Sequence, residues 1–219
     1  IIIKKYIINN EEFLNIPDNL SEFNSLILEL KFICLPQNQY DNVFEVFKKN
    51  NLNILNFFSS SLVKSFQYIN LFKKNKFVAF LDIGLDRTTI IFFINQKLDC
   101  LNSIPIGGNN ISKDISEILK LNLEESEELK KTFSSSEIDF SYNDSDLNEN
   151  KNIISKIIGK NISIDLLKKV VLSRIEEIIK LSFKSIIIPK NIDKKQNLNL
   201  VLIGNGSKIF NKNSFHIED

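Results

Sequence analysis

The stretch FVAFLDIGLDRTTIIFFI, residues Phe77–Ile94, starts with an apolar run that reaches a carboxylate and then enters a turn at Gly84. An almost uninterrupted apolar run is typical of a strand that is buried on both faces of a sheet. Far downstream, LVLIGNGS, residues Leu200–Ser207, again leads an apolar strand into a turn that contains glycines. Two such strand-to-turn elements meeting across one cleft would hold a ligand from two sides.

Composition and charge exclude several classes of protein. The 219 residues are 43% hydrophobic and carry a formal net charge of +1, with the lysines dispersed among acidic residues, so nothing favours a nucleic-acid surface. Cys34 and Cys100 are far apart, and His216 is the sole histidine. We therefore expect no thiolate or imidazole metal site and no Ser–His or Cys–His nucleophile. Two lone cysteines fit a reducing cytosol.

The two ends of the sequence suggest a piece of a longer protein. No apolar run reaches the roughly 18–20 residues needed to cross a bilayer. Ile1–Ile3 precedes two lysines, which reverses the order of a secretory leader. The chain contains no methionine and begins with isoleucine, so we expect an interior fragment.

The first third of the chain alternates apolar runs with amphipathic segments. The spacing of apolar residues predicts strands over Leu26–Cys34 and Leu52–Phe58 and helices over Tyr40–Asn50 and Ser59–Leu71. A cluster of serines is available to cap the second helix. This β-α-β-α alternation predicts a mixed α/β sheet with flanking helices.

The remainder predicts a meander of strands, then helices and a returning strand. Short turns join three predicted strands, which indicates antiparallel pairing. The βββ-α…α-β order is the one that an RNase-H-like, actin-type half-fold requires. The predicted elements are strands Phe77–Ile83, Thr88–Ile94, Leu98–Ile106 and Leu198–Ile203, helices Asn110–Leu121, Leu123–Lys131 and Ile164–Lys184, and an exposed loop Ser134–Lys151.

Asp82 is the first candidate for chemistry. It stands at the carboxyl end of a strand, where ligands gather in open α/β sheets. A carboxylate there can hold a hydrated Mg²⁺ or orient an attacking water. Gly84 lets backbone N–H groups approach phosphate oxygens. A strand that merely ends in a β-turn would have the same sequence pattern, and both interpretations stay open.

Gly204-Asn205-Gly206 is the second candidate, directly after the last predicted strand. Two glycines let the backbone pack against a base or a diphosphate, although a plain turn is the more frequent explanation of a lone GxG. We expect a bulky residue at Gly206 to abolish nucleotide binding without unfolding the domain.

Two further pairs of residues each have both a purely structural and a ligand-binding interpretation. Gly107 and Gly108 follow the meander and are either a helix-entry loop or a hinge that brings backbone near a nucleotide. Glu127 and Lys130 lie at i and i+3 of a predicted helix, so they share one face. They form either an exposed ion pair or a pair that reaches ribose hydroxyls.

Taken together, these motifs resemble the bacterial cell-division FtsA family of actin homologues. DIGLDRTT resembles the family's second phosphate loop, DIGGGTxD. PIGGNNISKDI resembles PxGGxxxTxDI, with Pro105, Asp114 and Ile115 at the expected spacing and Ser112 in place of the threonine. EESEELK resembles AExxK, and LVLIGNGSKI resembles VVLTGGGAxI. The resemblance covers nearly the whole chain.

The resemblance implies an actin-like (RNase-H-like) ATPase fold with ATP and Mg²⁺ as cofactors. Residues 1–38 would be the end of subdomain 1C and 39–74 part of 1A. Residues 75–106 and 163–219 would form 2A, and 107–162 would form 2B. The implied site places Asp82 on Mg²⁺ through water, as a weak catalytic residue, and the nucleotide on Gly84, Thr88, Gly107, Gly108, Glu127, Lys130, Gly204, Asn205, Gly206 and Ser207.

The family's role implies assembly rather than metabolism. The chain would self-associate as a filament or dimer, tether the FtsZ ring to the inner membrane and recruit other division proteins at the septum, with FtsZ contacting residues around Ile111–Leu129. It would be cytoplasmic, peripheral on the inner face of the membrane, and attached through a segment outside this chain. No nucleic-acid partner is implied.

The chain departs from the family pattern in its first loop. Leu85 and Asp86 replace the second and third glycines, and Thr89 replaces the second acidic residue. A carboxylate at position 86 repels phosphate unless Mg²⁺ or Arg87 compensates. We therefore expect weak ATP hydrolysis at most. Two alternatives remain: a PilM-like pilus-assembly homologue, which lacks a 2B-like segment, and a sugar or acid kinase, which needs an intact glycine loop.

Overall fold

A computed structural model describes residues 2–13, 15–18, 24–135, 164–187 and 198–209. Two sheets, five α-helices and two short 3₁₀ helices, Asn70–Phe72 and Asn205–Ile209, account for its regular structure over these ranges. The strands are β1 (Ile2–Ile8), β2 (Glu11–Phe13), β3 (Leu26–Lys31), β4 (Phe77–Ile83), β5 (Thr88–Ile94), β6 (Lys97–Ile104) and β7 (Leu198–Ile203). The helices are α1 (Gln37–Lys49), α2 (Ser60–Ile69), α3 (Gly108–Leu119), α4 (Leu123–Ser135) and α5 (Ile164–Lys184).

The larger sheet has the strand order β6-β5-β4-β7 and confirms the predicted meander. β4, β5 and β6 pair antiparallel, whereas β7 pairs parallel to β4, so the sheet is mixed. Every residue of β4 is buried, as its continuous apolar run predicts. Since β4 and β7 are parallel neighbours, their carboxyl ends lie at the same edge of the sheet.

Helices cover both faces of this sheet. Alternate residues of β4 point to opposite faces, and the residues on each face pack against a different helix. Val78 and Phe80 pack with Ile69 of α2 on one face. On the other face Leu81 and Ile83 pack with residues of α5 that include Phe183. A third apolar cluster joins α3, α4 and α5. The strands that carry the candidate site are therefore packed on both faces.

The predicted strand Leu52–Phe58 is wrong. Residues 52–59 form no regular structure, and Leu55 is 89% exposed. An apolar run without a strand to pair with leaves its backbone groups to water, so it gains nothing by extending as a strand. Ser59 does cap α2, as predicted, by accepting a hydrogen bond from the Leu62 N–H.

The predicted strand Leu26–Cys34 ends earlier, at Lys31, and does not join the main sheet. β3 instead pairs antiparallel with β1 in a separate sheet of order β2-β1-β3. The β1–β2 hairpin was not predicted from the sequence, although Asn9 and Asn10 both adopt positive φ in its tight turn. Asparagine is one of the few residues that tolerates this conformation, so the Asn-Asn pair was an available signal.

The predicted loop Ser134–Lys151 lies outside the described residues apart from Ser134 and Ser135, which end α4. Helix α3 begins two residues earlier than predicted, and α5 has the predicted bounds. No helix within the described ranges is both long enough and apolar enough to span a membrane.

Candidate functional site

A cavity of about 610 Å³ opens at the edge of the sheet where β4 and β7 end together. Asp82 of β4 is in register with Ile203 of β7, so the turns that follow the two strands start as neighbours. Helices α3 and α4 close the cavity from the side. Its lining is Lys64, Asp82, Ile83, Gly84, Leu85, Gly108, Ile111, Glu127, Lys130, Lys131, Gly204, Asn205, Gly206, Lys208 and Ile209.

Asp82 is a buried carboxylate with a cation already in contact. Its side chain is 7% exposed, and Lys64 Nζ lies 3.1 Å from Oδ2 and 3.4 Å from Oδ1. Lys64 extends from the middle of α2, which packs on the same face of the sheet. A buried carboxylate requires such a counter-charge, because burial disfavours its ionised form.

The turn after β7 presses directly on the end of β4. Gly204 has φ +86°, and a Cβ at this position would overlap Asp82 Oδ1. A Cβ on Gly206 would lie 2.5 Å from Ile83 Cγ2 and 2.8 Å from the Ile83 carbonyl oxygen. Both glycines are thus required by close packing of the chain on itself.

This packing corrects our expectation for Gly206. A bulky residue there meets Ile83 before it reaches the cavity, so the substitution would strain the fold as well as any bound ligand. It therefore does not separate nucleotide binding from folding.

The turn after β4 is held by hydrogen bonds to the start of α3. The Gly84 N–H donates to the Arg87 carbonyl at 2.8 Å, which closes the turn. The Gly108 and Asn109 N–H groups donate to the carbonyls of Gly84 and Leu85 at 2.9 and 2.7 Å. Because these N–H groups are engaged within the protein, the start of α3 does not offer them to an anion.

Glu127 and Lys130 form a network rather than an isolated ion pair. Lys130 Nζ donates to Glu127 Oε2 at 2.6 Å, to Ser112 Oγ at 2.8 Å and to the Gly108 carbonyl at 2.9 Å. Burial by itself would raise the pKa of the Glu127 carboxyl, but the hydrogen bonds from Lys130 and Ser112 outweigh it and hold the pKa below its usual value. The network fastens α4 to the first turn of α3.

Most of the residues predicted from the sequence meet at this cavity. Asp82 and Gly206 both line it, although they lie more than a hundred positions apart in the chain. The other predicted residues along its wall are Gly84, Gly108, Glu127, Lys130, Gly204 and Asn205.

Three predicted residues support the cavity without lining it. Thr88 is fully buried, and its Oγ1 donates to the Ile106 carbonyl at 2.7 Å. Ser207 Oγ donates to the Gly204 carbonyl at 2.7 Å. A Cβ on Gly107 would lie 2.5 Å from the Leu85 carbonyl oxygen, so this glycine permits the contact between turn and helix.

Sequence reasoning missed three of the four lysines that line the cavity. Lys64, Lys131 and Lys208 join Lys130 there, against the carboxylates Asp82 and Glu127. This excess of positive charge suits an anionic ligand. Lys208 stands only two positions beyond Gly206, which was an available signal, whereas Lys64 comes from a helix whose register on the sheet had to be known first.

The carboxylates fit a directly held metal ion poorly. Within the described ranges, no three His, Cys, Asp or Glu side chains come together as a metal-ligand group. Asp82 faces Lys64, and Glu127 is engaged by Lys130 and Ser112. The lysines and the glycine turns do fit a polyphosphate, because cationic side chains and glycines without side chains surround one open volume.

The family model for cell division protein FtsA matches residues 79–209, which is more than half of the chain and includes both glycine turns. The chain belongs to the FtsA family. A segment of 59 residues is 49% identical to the cell division protein FtsA of Bacillus subtilis (strain 168). That segment is 27% of this chain and 13% of the relative, so the match covers a small part of the longer protein.

Solved structures show that the FtsA-family chain has the actin-like ATPase fold. MreB5 of Spiroplasma citri bound to ADP is similar over 80% of this chain and 55% of its own, with 14% identity and a TM-score of 0.56. The PilM–PilN type IV pilus biogenesis complex is similar over 79% and 42%, with 17% identity and a TM-score of 0.50. At these identities the similarity establishes the fold alone.

Proposed function

We propose that this chain is the nucleotide-binding part of an ATP-dependent assembly protein in bacterial cell division. The observation that carries the proposal is the cavity between the turns after β4 and β7, which is lined by four lysines. MreB5, which shares the fold, is described as bound to ADP and to AMPPNP in two structures. ATP would occupy the corresponding space here.

The residues of the cavity divide between the parts of the nucleotide. Lys64 and Lys208 would attract the phosphates, while the backbone at Gly84 and Gly204 comes close to them. Glu127 and Lys130 would reach the ribose hydroxyls. The nucleotide would carry Mg²⁺ on its own phosphate oxygens, since Asp82 is paired with Lys64.

Hydrolysis would be slow for a structural reason. A carboxylate that orients an attacking water must be accessible to that water, even though its two oxygens have about four acceptor sites. Lys64 contacts both oxygens of Asp82, and Gly204 closely approaches one of them. The chain would therefore use ATP to stabilise an assembled state rather than to turn over a substrate.

Family membership supports the wider role. The protein would self-associate, tether the FtsZ ring to the cytoplasmic face of the membrane at the division site, and recruit further division proteins. The subdomain boundaries predicted from the sequence belong to this proposal: 1C for residues 1–38, 1A for 39–74, 2A for 75–106 and 163–219, and 2B for 107–162.

Only part of the predicted FtsZ surface, Ile111–Leu129, has apolar side chains that a partner could contact. Ile111, Ile115 and Leu129 are buried, so they are unavailable to a partner. Ile118 and Leu123 are about half exposed, at 48% and 47%, on neighbouring helices. An FtsZ contact within this segment would therefore centre on these two side chains.

Isothermal titration of the intact protein with ATP tests the nucleotide site. We expect saturable binding, and we expect Lys208→Gln to weaken it by about tenfold, the order of effect of one charged contact. Lys180→Gln is the matched control, because Lys180 lies on the exposed surface of α5 and pairs with Glu176. Absence of ATP binding, or equal affinities of the wild-type and Lys208→Gln proteins, would contradict the site.

Co-sedimentation with FtsZ on lipid vesicles tests the division role. We expect the intact protein to carry FtsZ into the vesicle pellet and the Ile118→Ser/Leu123→Ser double variant to carry much less. Leu172→Ser is the control, since Leu172 is similarly exposed but lies on α5. Recruitment of PilN instead of FtsZ would favour the pilus-assembly alternative, and rapid ATP consumption on addition of a sugar or acid would favour a kinase.

A further inference from the structure

Lys64 occupies an unusual position for a lysine, since it links a helix to a buried carboxylate at the end of a central strand. Its Nζ approaches both oxygens of Asp82, at 3.1 and 3.4 Å. The residue beside it, Ser65, is fully buried, so this part of α2 is fixed against the sheet. The backbone from which Lys64 extends toward the cavity is thereby fixed.

The surroundings of Asp82 leave little room for a second cation. Gly204 comes so close that a Cβ there would overlap Oδ1, and Lys64 Nζ lies nearest to Oδ2. A hydrated Mg²⁺ keeps most of its waters and contacts a carboxylate through them. The ammonium group of Lys64 therefore stands where a metal-bound water would donate to Asp82.

Lys64 also remains open toward the ligand. Its side chain is 46% exposed, whereas that of Asp82 is 7% exposed, so the positive end of the pair faces the cavity. A second cavity of about 600 Å³, lined by Lys64, Tyr68 and residues 201–205, adjoins the first on the side of α2. An ammonium group has three donors, so it can contact Asp82 and a phosphate oxygen together.

We propose that Lys64 is the resident cation of this site and takes the place of a divalent ion between Asp82 and the phosphates of a bound nucleotide. Nucleotide affinity is then independent of Mg²⁺. The inference rests on the proposed nucleotide binding and adds to it the identity of the counter-ion.

The test measures ATP affinity of the intact protein in Mg²⁺ and in EDTA. The wild-type affinity is expected to differ by less than about threefold between the two conditions, well below the effect of losing one charged contact. Lys64→Gln is expected to bind at least about tenfold more weakly in EDTA and to recover part of that loss when Mg²⁺ is added. Lys64→Arg keeps the cation and should bind alike in both conditions.

Two further measurements keep the outcome unambiguous. Lys208→Gln removes a lysine that lines the same cavity, whereas the lysine in contact with Asp82 is Lys64, so the loss of affinity in this variant should be the same with and without Mg²⁺. Urea denaturation of each variant shows whether it is folded, and the wild-type measurement stands even where a variant is not. Wild-type binding that requires Mg²⁺ overturns this inference alone. Absence of binding in both conditions overturns the proposed function, and the inference falls with it.

Discussion

The turns that follow β4 and β7 lie side by side at one edge of the sheet, yet they are built in opposite ways. The turn after β7 keeps glycine at positions 204 and 206, where any side chain would collide with Asp82 or Ile83. The turn after β4 has Leu85 and Asp86 where the family pattern has glycines, and both residues are exposed. Leu85 is 63% exposed, and Asp86 Oδ1 accepts a hydrogen bond from Asn109 Nδ2.

The difference separates two reasons for a glycine in a ligand-binding turn. After β7 the glycines are needed by the fold itself, so their loss is costly whether or not a ligand binds. After β4 the main-chain bonds from Gly108 and Asn109 hold the turn, and the side chains at positions 85 and 86 are free to vary. The departures from the family pattern thus fall where the structure tolerates them.

The largest expected effect is that of Gly204→Ala. The residue has φ +86°, which an L-residue adopts at a cost, and its new Cβ would overlap Asp82 Oδ1. We expect the free energy of unfolding to fall by about 3 kcal/mol, as measured by urea denaturation. Leu85→Ala in the other turn is the control and should cost less than about 1 kcal/mol. An equal loss of unfolding free energy in the two variants would show that the two turns do not differ in their need for glycine.

Gly206→Ala should have the next largest effect. Its φ is not in the left-handed region, so the cost comes from the contacts with the side chain and carbonyl of Ile83 alone. We expect a loss of about 2 kcal/mol. In a double-mutant cycle with Ile83→Ala, which removes the colliding methyl group, the combined cost should be smaller than the sum by about 1 kcal/mol. Strict additivity would show that the Ile83 side chain is not what excludes a larger residue at position 206, and would leave the Ile83 carbonyl as the group in the way.

The third prediction concerns the support of the β4 turn and depends on pH. Lys130, held by Glu127, donates to the Gly108 carbonyl, and Gly108 in turn donates to Gly84. Because the pKa of Glu127 is lowered in the folded state, its carboxylate stabilises the fold above its unfolded pKa of about 4.3. This contribution is lost as the pH falls through the folded pKa.

Glu127→Gln removes that dependence. At pH 7 we expect the variant to be about 1 kcal/mol less stable than the wild type, and the difference should shrink in acid. Urea denaturation between pH 7 and pH 3 measures both proteins. A constant difference across this range would mean that the carboxylate charge contributes nothing to the α3–α4 contact.

The main sheet could be predicted from the sequence because each of its strands has a distinctive pattern of residues. The run Phe77–Ile83 is buried on both faces, and the short turns between β4, β5 and β6 leave antiparallel pairing as the simple solution. It failed at Leu52–Phe58 because an apolar run is also found in irregular chain, and only a pairing partner makes it a strand. The resemblance to a family then placed the glycines and Glu127 with Lys130 at one site.

The lysines were harder to predict, because their roles depend on packing between elements distant in sequence. Lys64 reaches Asp82 only because α2 lies on the face of the sheet toward which Asp82 points. A lysine on an amphipathic helix usually lies in solvent, and nothing local distinguishes this one. The close approach of Gly206 to Ile83 likewise follows from the pairing of β7 with β4, which the sequence alone does not report.

The smallest effect on stability is expected for Asp86→Ala, which changes a side chain in the turn after β4. Asp86→Ala removes an exposed carboxylate whose contact is the hydrogen bond from Asn109, while the main-chain bonds of the turn remain. We expect unfolding free energy to change by less than about 0.5 kcal/mol. ATP should bind slightly more tightly, because the chain loses a negative charge next to Leu85, which lines the cavity. Asp41→Ala, on the exposed helix α1, controls for the loss of one charge elsewhere. A large loss of stability would mean that the Asp86 side chain, rather than the backbone, holds the β4 turn.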